Sequence, residues 1–321
     1  MNSSAPLIGI DAKRIVRNGT GLGSYGRTLV NDLAQYPLRL NLYAPDRGRD
    51  DLRTQVENHD NIAFVYPTSR HFKSYWRSRG IVADLERDGV QLYHGLSGEL
   101  PVGIRRSGIK SVVTIHDLIF LRHPEFYNPI DVQIYKWKFR QTIKEADHII
   151  AISECTRRDI LEYAGGQVSE ADITLIYQSC AQRFSVSPHS RYSALGSQRY
   201  VLSVGSIEPR KNTMLALKAL HHLPDDISLV LVGRHTAYTD KLVTYARANG
   251  LEHRLHILHG VPDADLPALY ADAEGMADAI RRSLKSADGR QERIQRSQDY
   301  IKRFDGKDVA GQVFQLYQQL L

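Results

Sequence analysis

The sequence predicts an α/β protein built from two doubly wound domains, and two features of the chain lead to this prediction. Short apolar, β-branched runs alternate with amphipathic helical patterns over the first half of the chain, which is typical of a parallel sheet with crossover helices. The same rhythm restarts near residue 199, after a stretch that is poor in large apolar residues. A chain of 321 residues is long enough for two such domains.

The first domain, residues 1–185, is expected to contain one strand for each of its apolar runs. These runs begin at Leu7, Leu38, Ile62, Val90, Ser111, His148 and Ile173. Helical patterns such as SYGRTLVNDLAQY and SECTRRDILEYA separate most of them. The alternation therefore predicts a doubly wound sheet for this domain.

The second domain, residues 199–305, follows a linker that we place from Arg183 to Arg199. This linker contains Ser, Pro and Gly and few large apolar side chains. Three further strand-like runs begin at Tyr200, Ser228 and Leu255. The chain after LPALYADA has helical character and ends in a C-terminal helix over residues 306–321. Ligands of doubly wound sheets bind beyond the carboxyl ends of the strands, so we expect a site in the cleft between the domains.

The composition excludes several classes of protein and leaves others open. No window is apolar enough to span a bilayer, and the N-terminus lacks a signal-peptide pattern, so we expect a cytoplasmic protein. The two cysteines, Cys155 and Cys180, have no metal-binding spacing, and we expect both to be reduced and buried, with no metal bound. The formal charge of +6 suits phosphorylated ligands, anionic membranes and nucleic acid alike.

The first motif is GTGLGSYG, with Gly21, Gly23 and Gly26 in G-x-G-x-x-G spacing before an amphipathic helix. Glycines there let a phosphate approach the backbone at a helix N-terminus. Asp46 follows Gly26 by 20 residues, where a dinucleotide-binding fold would hold a ribose, so an NAD-type oxidoreductase is an alternative. Against it, the segment DAKRIVRNGT separates the first strand from the glycines. A purely structural turn is the third interpretation.

Two other motifs follow predicted strands. His116, with Asp117 after it, stands just past the strand SVVTI, at the end where open α/β sheets place functional groups; the alternative is a hydrogen-bonded histidine with a structural role. In SVGSIEPRKNTMLALKAL, Arg210 and Lys211 precede a helical run. Two cations beside a helix N-terminus would suit a diphosphate, although solvated surface charges are the alternative.

The segment RHFKSYWRSRG, from Arg70 to Gly80, interleaves cations with Phe72, Tyr75 and Trp76. Such a segment could contact an anionic membrane surface peripherally or hold an acidic acceptor. Because it is short, an ordinary amphipathic helix with a charged face is the favoured interpretation.

Together these motifs resemble the family 4 glycosyltransferases of GT-B architecture, in particular bacterial mannosyltransferase-like members that build polysaccharides. The stretches GTGLGSY, VVTIHDLIFLRHPE, HIIAISECTRRDI, YVLSVGSIEPRKN, LVLVG and LHGVPDADLPALYADA occur in the family's order. The resemblance implies two Rossmann-like domains, an acceptor-side domain over residues 1–185 and a nucleotide-sugar domain over residues 199–305. Together they would transfer a mannose- or glucose-type hexose, with retention, from a nucleotide-diphosphate sugar. The acceptor would be a polysaccharide or lipid-linked glycan. No cofactor, metal or nucleic acid would be required.

The resemblance also implies roles for particular residues. His116 would be the catalytic-site residue that lies against the donor sugar, and Arg210 and Lys211 would neutralise the diphosphate leaving group. The expected donor-binding residues are Gly21, Gly23, Arg210, Lys211, Gly260 and Val261.

The second domain departs from the family pattern where Ala273 joins Glu274 directly. Two βα units, about 60 residues at the usual size of such units, are missing there, together with a pair of glutamates eight positions apart. We therefore expect an incomplete second domain, an open sheet edge that could support self-association, and weak or absent activity. A non-catalytic GT-B remnant is the second functional hypothesis, and the NAD-type oxidoreductase is the third.

Overall fold

The computed structural model describes residues 5–68, 72–179, 195, 199–262, 265–272 and 306–321. It divides the chain into two compact units. The first unit comprises Met1–Ala181 together with Ser297–Leu321, and the second comprises Gln182–Arg296. The predicted linker lies almost entirely outside the described residues, as do Cys180 and the junction at Ala273.

The first unit is built on a seven-stranded parallel sheet with the order β3-β2-β1-β4-β5-β6-β7. Its strands are β1 (Leu7–Asp11), β2 (Arg39–Tyr43), β3 (Ile62–Val65), β4 (Leu92–Gly95), β5 (Lys110–Ile115), β6 (His148–Ala151) and β7 (Ile173–Leu175). Each of the seven strands predicted for this part of the chain is confirmed. Strands that are buried on both faces read as continuous apolar runs, which is why the sequence identified them.

Helices cover both faces of this sheet. They are α1 (Lys13–Arg17), α2 (Gly21–Leu33), α3 (Asp50–Arg53), α4 (Lys73–Tyr75), α5 (Ile81–Arg87), α6 (Ile104–Ser107), α7 (Ile119–Arg122), α8 (Pro129–Glu145) and α9 (Glu154–Tyr163). A π-helical segment, Trp76–Gly80, joins α4 to α5. The described part of the 70–80 segment is therefore helical as favoured, but Arg77 does not belong to a solvated charged face, because it is largely buried and pairs with Asp11. The C-terminal helix, α13 (Gly306–Leu320), also belongs to this unit.

Two apolar clusters form the core of the first unit, one on each face of the sheet. Successive strand residues such as Val112 and Val113 belong to different clusters, as expected when side chains alternate across a strand. Helix α13 contributes Val313 and Tyr317 to the same cluster as Leu29 of α2. The C-terminal helix is therefore an integral part of the first unit's core.

The second unit contains a parallel sheet of three described strands in the order β10-β9-β8. The strands are β8 (Arg199–Val204), β9 (Ile227–Val232) and β10 (Leu255–Leu258), and all three were predicted. The helices are α10 (Thr213–Ala219), α11 (Ala237–Ala248) and α12 (Leu266–Asp272). Because residues 273–305 lie outside the described part, an incomplete sheet with an open edge stays a prediction.

One expectation about the cysteines is wrong. Cys155 is exposed, because it lies in the first turn of α9, whose buried residues begin at Thr156. Within the described ranges, no helix is both long and apolar enough to cross a membrane. The same residues contain no group of three or more His, Cys, Asp or Glu side chains that could hold a metal ion.

Candidate functional site

The three glycines of the first motif have different surroundings in the structure. A Cβ at position 23 would lie 1.8 Å from the carbonyl oxygen of Asn18, and one at position 26 would lie 2.8 Å from Cγ1 of Ile15. By contrast, no heavy atom among the described residues lies within 4 Å of a Cβ at position 21. Gly23 and Gly26 are therefore required by the packing of α2, and Gly21 alone faces open space.

The glycine turn, residues 18–23, is held by the side chain of Asn18. Its Oδ1 accepts hydrogen bonds from the backbone N–H groups of Thr20 (2.8 Å) and Gly23 (3.3 Å). In the described part of the chain, the N–H groups of Gly21 and Leu22 have no acceptor. The N-terminus of this 13-residue helix thus keeps two free donors and a partial positive charge, an arrangement that suits an anion.

His116 lies directly after β5, where the sequence placed it. Its Nε2 is 2.8 Å from the carbonyl oxygen of Leu96, and its Nδ1 is 2.7 Å from Nε2 of Gln178. A carbonyl only accepts, so Nε2 carries the proton and Nδ1 accepts from the Gln178 amide. Burial lowers the pKa of His116, and the charge of Arg14 lowers it further. His116 is therefore a neutral ring with both nitrogens occupied, which suits positioning better than proton transfer.

A series of buried, hydrogen-bonded side chains leads to a ring that packs against His116. His94 is fully buried, with Nδ1 2.6 Å from the Tyr317 hydroxyl and Nε2 2.8 Å from Oγ1 of Thr114. The Tyr25 hydroxyl lies 3.2 Å from the same Thr114 oxygen, and the edge of the Tyr25 ring meets His116 with ring centroids 4.9 Å apart. Burial lowers the pKa of His94 to about 3, so this ring is also neutral. Helix α13 thereby contributes to the surroundings of His116.

Sequence reasoning missed several residues around the glycine turn and His116. Arg14, in the segment before the glycines, has a buried Nε with no partner among the described residues. Its position between the first strand and the glycine motif was the available signal. No sequence pattern pointed to Tyr25, Gln178 and Tyr317, because their contacts join distant parts of the chain.

In the second unit, the motif that follows β8 forms what we call the cation turn, residues 205–212. Gly205 has a φ of +142°, and its carbonyl oxygen would lie 2.0 Å from a Cβ at position 233. Arg210 pairs with Glu208 at 3.3 Å. Lys211 is exposed and has no ion-pair partner in the described part of the chain. The turn therefore presents one uncommitted positive charge beyond the carboxyl end of β8.

Gly260 and Val261 follow β10 at the same edge of the second sheet. Gly260 has a φ of +66°, which favours glycine, while Val261 packs against the cluster around Tyr200 and Leu269. His259 Nδ1 lies 2.6 Å from the Gly233 carbonyl oxygen at the end of β9. The structure thus places the predicted Arg210–Lys211 and Gly260–Val261 pairs at the carboxyl ends of β8 and β10, with β9 between them.

Asp46, the carboxylate on which the oxidoreductase alternative depends, is already hydrogen-bonded to two cationic side chains. Asp46 accepts hydrogen bonds from Arg17 Nε (3.0 Å) and Lys73 Nζ (2.7 Å). The hydrogen bond from Arg17 is the main reason that the pKa of Asp46 falls to about 2. A ribose hydroxyl would have to compete with two cations for this group, which weakens the alternative.

Two family models match consecutive parts of the chain. Glycosyltransferase Family 4 matches residues 19–179, and Glycosyl transferases group 1 matches residues 189–293. The O-antigen chain mannosyltransferase B of Escherichia coli is 27% identical over 192 residues, which cover 57% of this chain and 49% of that protein. The serotype-specific mannosyltransferase WbdA of E. coli is 27% identical over 234 residues, or 64% of this chain and 28% of that protein. The chain thus spans about half the length of the first relative and less than a third of the second.

Solved structures resemble the fold at low sequence identity. Anabaena HepE in complex with UDP has a TM-score of 0.66 and 15% identity, covering 98% of this chain and 100% of that one. WaaG, a glycosyltransferase involved in lipopolysaccharide biosynthesis, has a TM-score of 0.57 and 14% identity, covering 82% of this chain and 72% of that one. These likenesses support the predicted GT-B fold.

Proposed function

The chain belongs to glycosyltransferase family 4, and from this premise we propose that it transfers a hexose from a nucleotide-diphosphate sugar. The sugar would be of the mannose or glucose type, transferred with retention to a polysaccharide or lipid-linked acceptor. Similarity to two mannosyltransferases supports mannose. The observation that carries the proposal is the uncommitted charge of Lys211 beside Arg210 at the carboxyl end of β8.

Each predicted site residue has a role in this proposal. Lys211 and Arg210 would stabilise the negative charge that grows on the leaving diphosphate, and Gly260 and Val261 would flank the base. The N–H groups at Gly21 would bind an anionic oxygen of the donor. His116 would position the donor sugar as a neutral ring, because neither of its nitrogens is free to exchange a proton.

Calorimetric titration with GDP-mannose and UDP-glucose tests donor binding. Lys211→Ala should weaken binding about ten- to hundredfold, because a hydrogen bond to a charged group contributes roughly 1.5–3 kcal/mol. Lys241→Ala is the matched control, since it removes the same charge from an exposed position on α11. A folded sample that gives no heat with these or any other nucleotide sugar would rule out the proposal, and binding of NAD instead would favour the oxidoreductase.

A non-catalytic GT-B remnant is the second candidate, because the paired glutamates expected after Ala273 are absent from the sequence. Transfer of radiolabelled mannose or glucose to a glycan acceptor separates the two candidates. Donor binding without detectable turnover would identify the remnant, whereas product formation would exclude it.

Peripheral contact with an anionic membrane is a further part of the proposal, but we place it on α8 rather than on residues 70–80. Arg77 of that earlier segment faces inward. On α8, Ile130 is 71% and Ile134 is 44% exposed, one helical turn apart. Arg140 and Lys144 on the same helix are exposed and have no carboxylate partner among the residues described. Helix α8 thus carries exposed apolar side chains near its N-terminus and exposed cations near its C-terminus, and such a combination suits an anionic lipid surface.

Vesicle flotation tests this contact, with phosphatidylcholine vesicles that contain or lack phosphatidylglycerol. The double variant Ile130→Ser/Ile134→Ser should lose binding to anionic vesicles. Leu215→Ser is the control, because Leu215 is equally apolar and 63% exposed on α10. Equal loss in the control, or no binding by the unmodified chain, would contradict the proposal.

A further inference from the structure

A cavity whose lining is largely apolar but includes several charged groups lies near the carboxyl ends of β1 and β4, entirely within the first unit. Its volume is about 60 Å³, and the residues important here are Asp11, Arg77, Tyr93, Glu99, Trp137 and Lys138. Of these residues, only Arg77 belongs to a segment singled out in the sequence, residues 70–80. A space of roughly 10–15 Å³ is enough for one water molecule, so the cavity can hold several waters or the hydroxyl-bearing edge of a sugar.

The charged groups of the cavity balance one another. Arg77 Nη2 donates to Asp11 at 2.6 Å, and Arg77 Nη1 donates to Glu99. Lys138 Nζ donates to the other oxygen of Glu99 at 2.9 Å. Two carboxylates and two cations thus line the cavity, and both of these cations are already paired. A third cation, the half-buried Lys13, lies close enough to interact electrostatically with Asp11, Glu99 and Arg77. A phosphate would have to displace one of these carboxylates, whereas a neutral ligand with hydroxyl groups would add hydrogen bonds without breaking a pair.

Two side chains of the cavity remain available to a ligand. Tyr93 is 2% exposed, yet its hydroxyl has no hydrogen-bond partner in the part of the chain that the structure describes. Because Tyr93 lines the cavity, its hydroxyl can form a hydrogen bond with a ligand that enters there. Trp137 lines the same cavity and is 55% exposed, so it offers an aromatic face to an apolar ring surface.

We propose that this cavity is the subsite for the terminal sugar of a neutral glycan acceptor. The inference rests on the proposed transferase function and adds the acceptor's chemical class. Sugar hydroxyls would donate to Asp11 and Glu99 and accept from Tyr93, while the C–H face of the ring lies on Trp137. An uncharged hexose would be favoured over a phosphorylated one, because Arg77 and Lys138 are already paired with the carboxylates of the cavity.

Intrinsic fluorescence offers a direct test, because the chain contains two tryptophans. Trp76 donates its indole N–H to Asp84 at 2.6 Å and is half-buried, so the variant Trp76→Phe leaves Trp137 as the reporter. Titration of this variant with methyl α-mannobioside should give a saturable change. Mannose 6-phosphate should bind more weakly, and tighter binding of the phosphorylated sugar would overturn the assignment to neutral sugars.

Affinity measurements on the otherwise unmodified chain complete the test. Trp137→Ala should raise the Kd for methyl α-mannobioside at least tenfold. Tyr93→Phe, which removes one oxygen atom from a buried ring, should raise it about three- to tenfold, the range expected for one hydrogen bond. Phe126→Ala is the control, because Phe126 is 49% exposed and does not line the cavity.

Nucleotide binding, measured on the same samples, separates the two proposals. If GDP-mannose or UDP-glucose binds while the mannobioside does not, or if neither Trp137→Ala nor Tyr93→Phe changes its Kd, the subsite is wrong and the transferase proposal is unaffected. If the mannobioside binds through Trp137 and no nucleotide sugar binds, the cavity is a sugar site and the transferase proposal fails. Unchanged melting temperatures would show that the variants are folded.

Discussion

The glycine turn of the first unit and the cation turn of the second each follow the first described strand of their sheet. The two turns differ in whether their polar side chains already have partners within the protein. In the glycine turn, Asn18 Oδ1 accepts from Thr20 and Gly23, and the buried Arg27 donates to the carbonyl oxygens of Ile15 and Asn18 at 2.9 and 3.0 Å. In the cation turn, Lys211 is exposed, and within the described ranges it pairs with no carboxylate.

This difference separates stability from binding. The side chains of the glycine turn are used to pack α2 on α1, and only the N–H groups at its tip are left for a ligand. In the cation turn, the charge of Lys211 is available to a ligand, and removing this exposed side chain would disturb little packing. Substitutions in the first turn should therefore change the free energy of unfolding, and substitutions of the cations in the second should change ligand affinity.

Gly23→Ala should have the largest effect on stability. The added Cβ would lie 1.8 Å from the Asn18 carbonyl oxygen and 2.8 Å from that of Arg14, and backbone atoms cannot move aside as a flexible side chain can. We expect a loss of about 3 kcal/mol in the free energy of unfolding, at the upper end of the usual cost of overpacking. Hydrogen exchange of peptides from α2 measures this loss locally, which is necessary because two units need not unfold together.

Gly21→Ala is the matched control for this substitution. No described atom lies within 4 Å of the new Cβ, so exchange in α2 should change by no more than about 0.5 kcal/mol. Equal effects at positions 21 and 23 would mean that packing does not distinguish the two glycines.

The sequence was sufficient to predict the strands and the ends of the sheets at which the motifs lie, because buried parallel strands have a composition that loops and helices lack. It was not sufficient to separate the uses of the three glycines. Gly21 and Gly23 have the same local pattern, and only the approach of Asn18 shows that one is needed for packing. A glycine motif indicates positions where a side chain is disfavoured. Whether packing or ligand binding is the cause can be decided only from the tertiary structure.

The polar chain behind His116 was beyond sequence reasoning for a different reason. Tyr317 and His94 are 223 residues apart in sequence, and no local pattern connects them. The cavity around Asp11 and Glu99 likewise requires Arg77, which belonged to a segment interpreted as a charged surface. Long-range contacts between polar side chains determine both features, whereas hydrophobic periodicity reports only which face of an element is buried.

Lowering the pH should reduce the stability of the region around α2 in the unmodified chain. The pKa of His94 falls from its ordinary value of 6.5 to about 3 on folding, because the ring is buried. Between these values the unfolded chain binds a proton that the folded chain does not, so stability is lost as pH falls below 6.5. At about 1.4 kcal/mol per pH unit, His94 should reduce the free energy of unfolding by about 2 kcal/mol at pH 5.

The pH dependence of α2 exchange, compared between the unmodified chain and His94→Gln, isolates this contribution. His116 also has a lowered pKa. In the unmodified chain, the free energy of unfolding should therefore change more steeply with pH than a single titrating group would cause. The variant should lose about 1.4 kcal/mol per pH unit of that slope between pH 5 and 6. Identical slopes would mean that His94 does not remain neutral in the folded chain.

The double variant Arg210→Ala/Lys211→Ala should have the smallest effect on stability. Only Arg210 has a pair, with Glu208 at 3.3 Å, and exposed pairs contribute roughly 0–1 kcal/mol. Exchange in β8 and β9 should therefore change by less than about 0.5 kcal/mol, although nucleotide binding is lost. Gly233→Ala is the positive control, because its Cβ would lie 2.0 Å from the Gly205 carbonyl oxygen and should destabilise the same strands. If the double variant destabilises them as strongly as Gly233→Ala, the cations belong to the framework of the second unit, and the two turns do not differ in the way their contacts indicate.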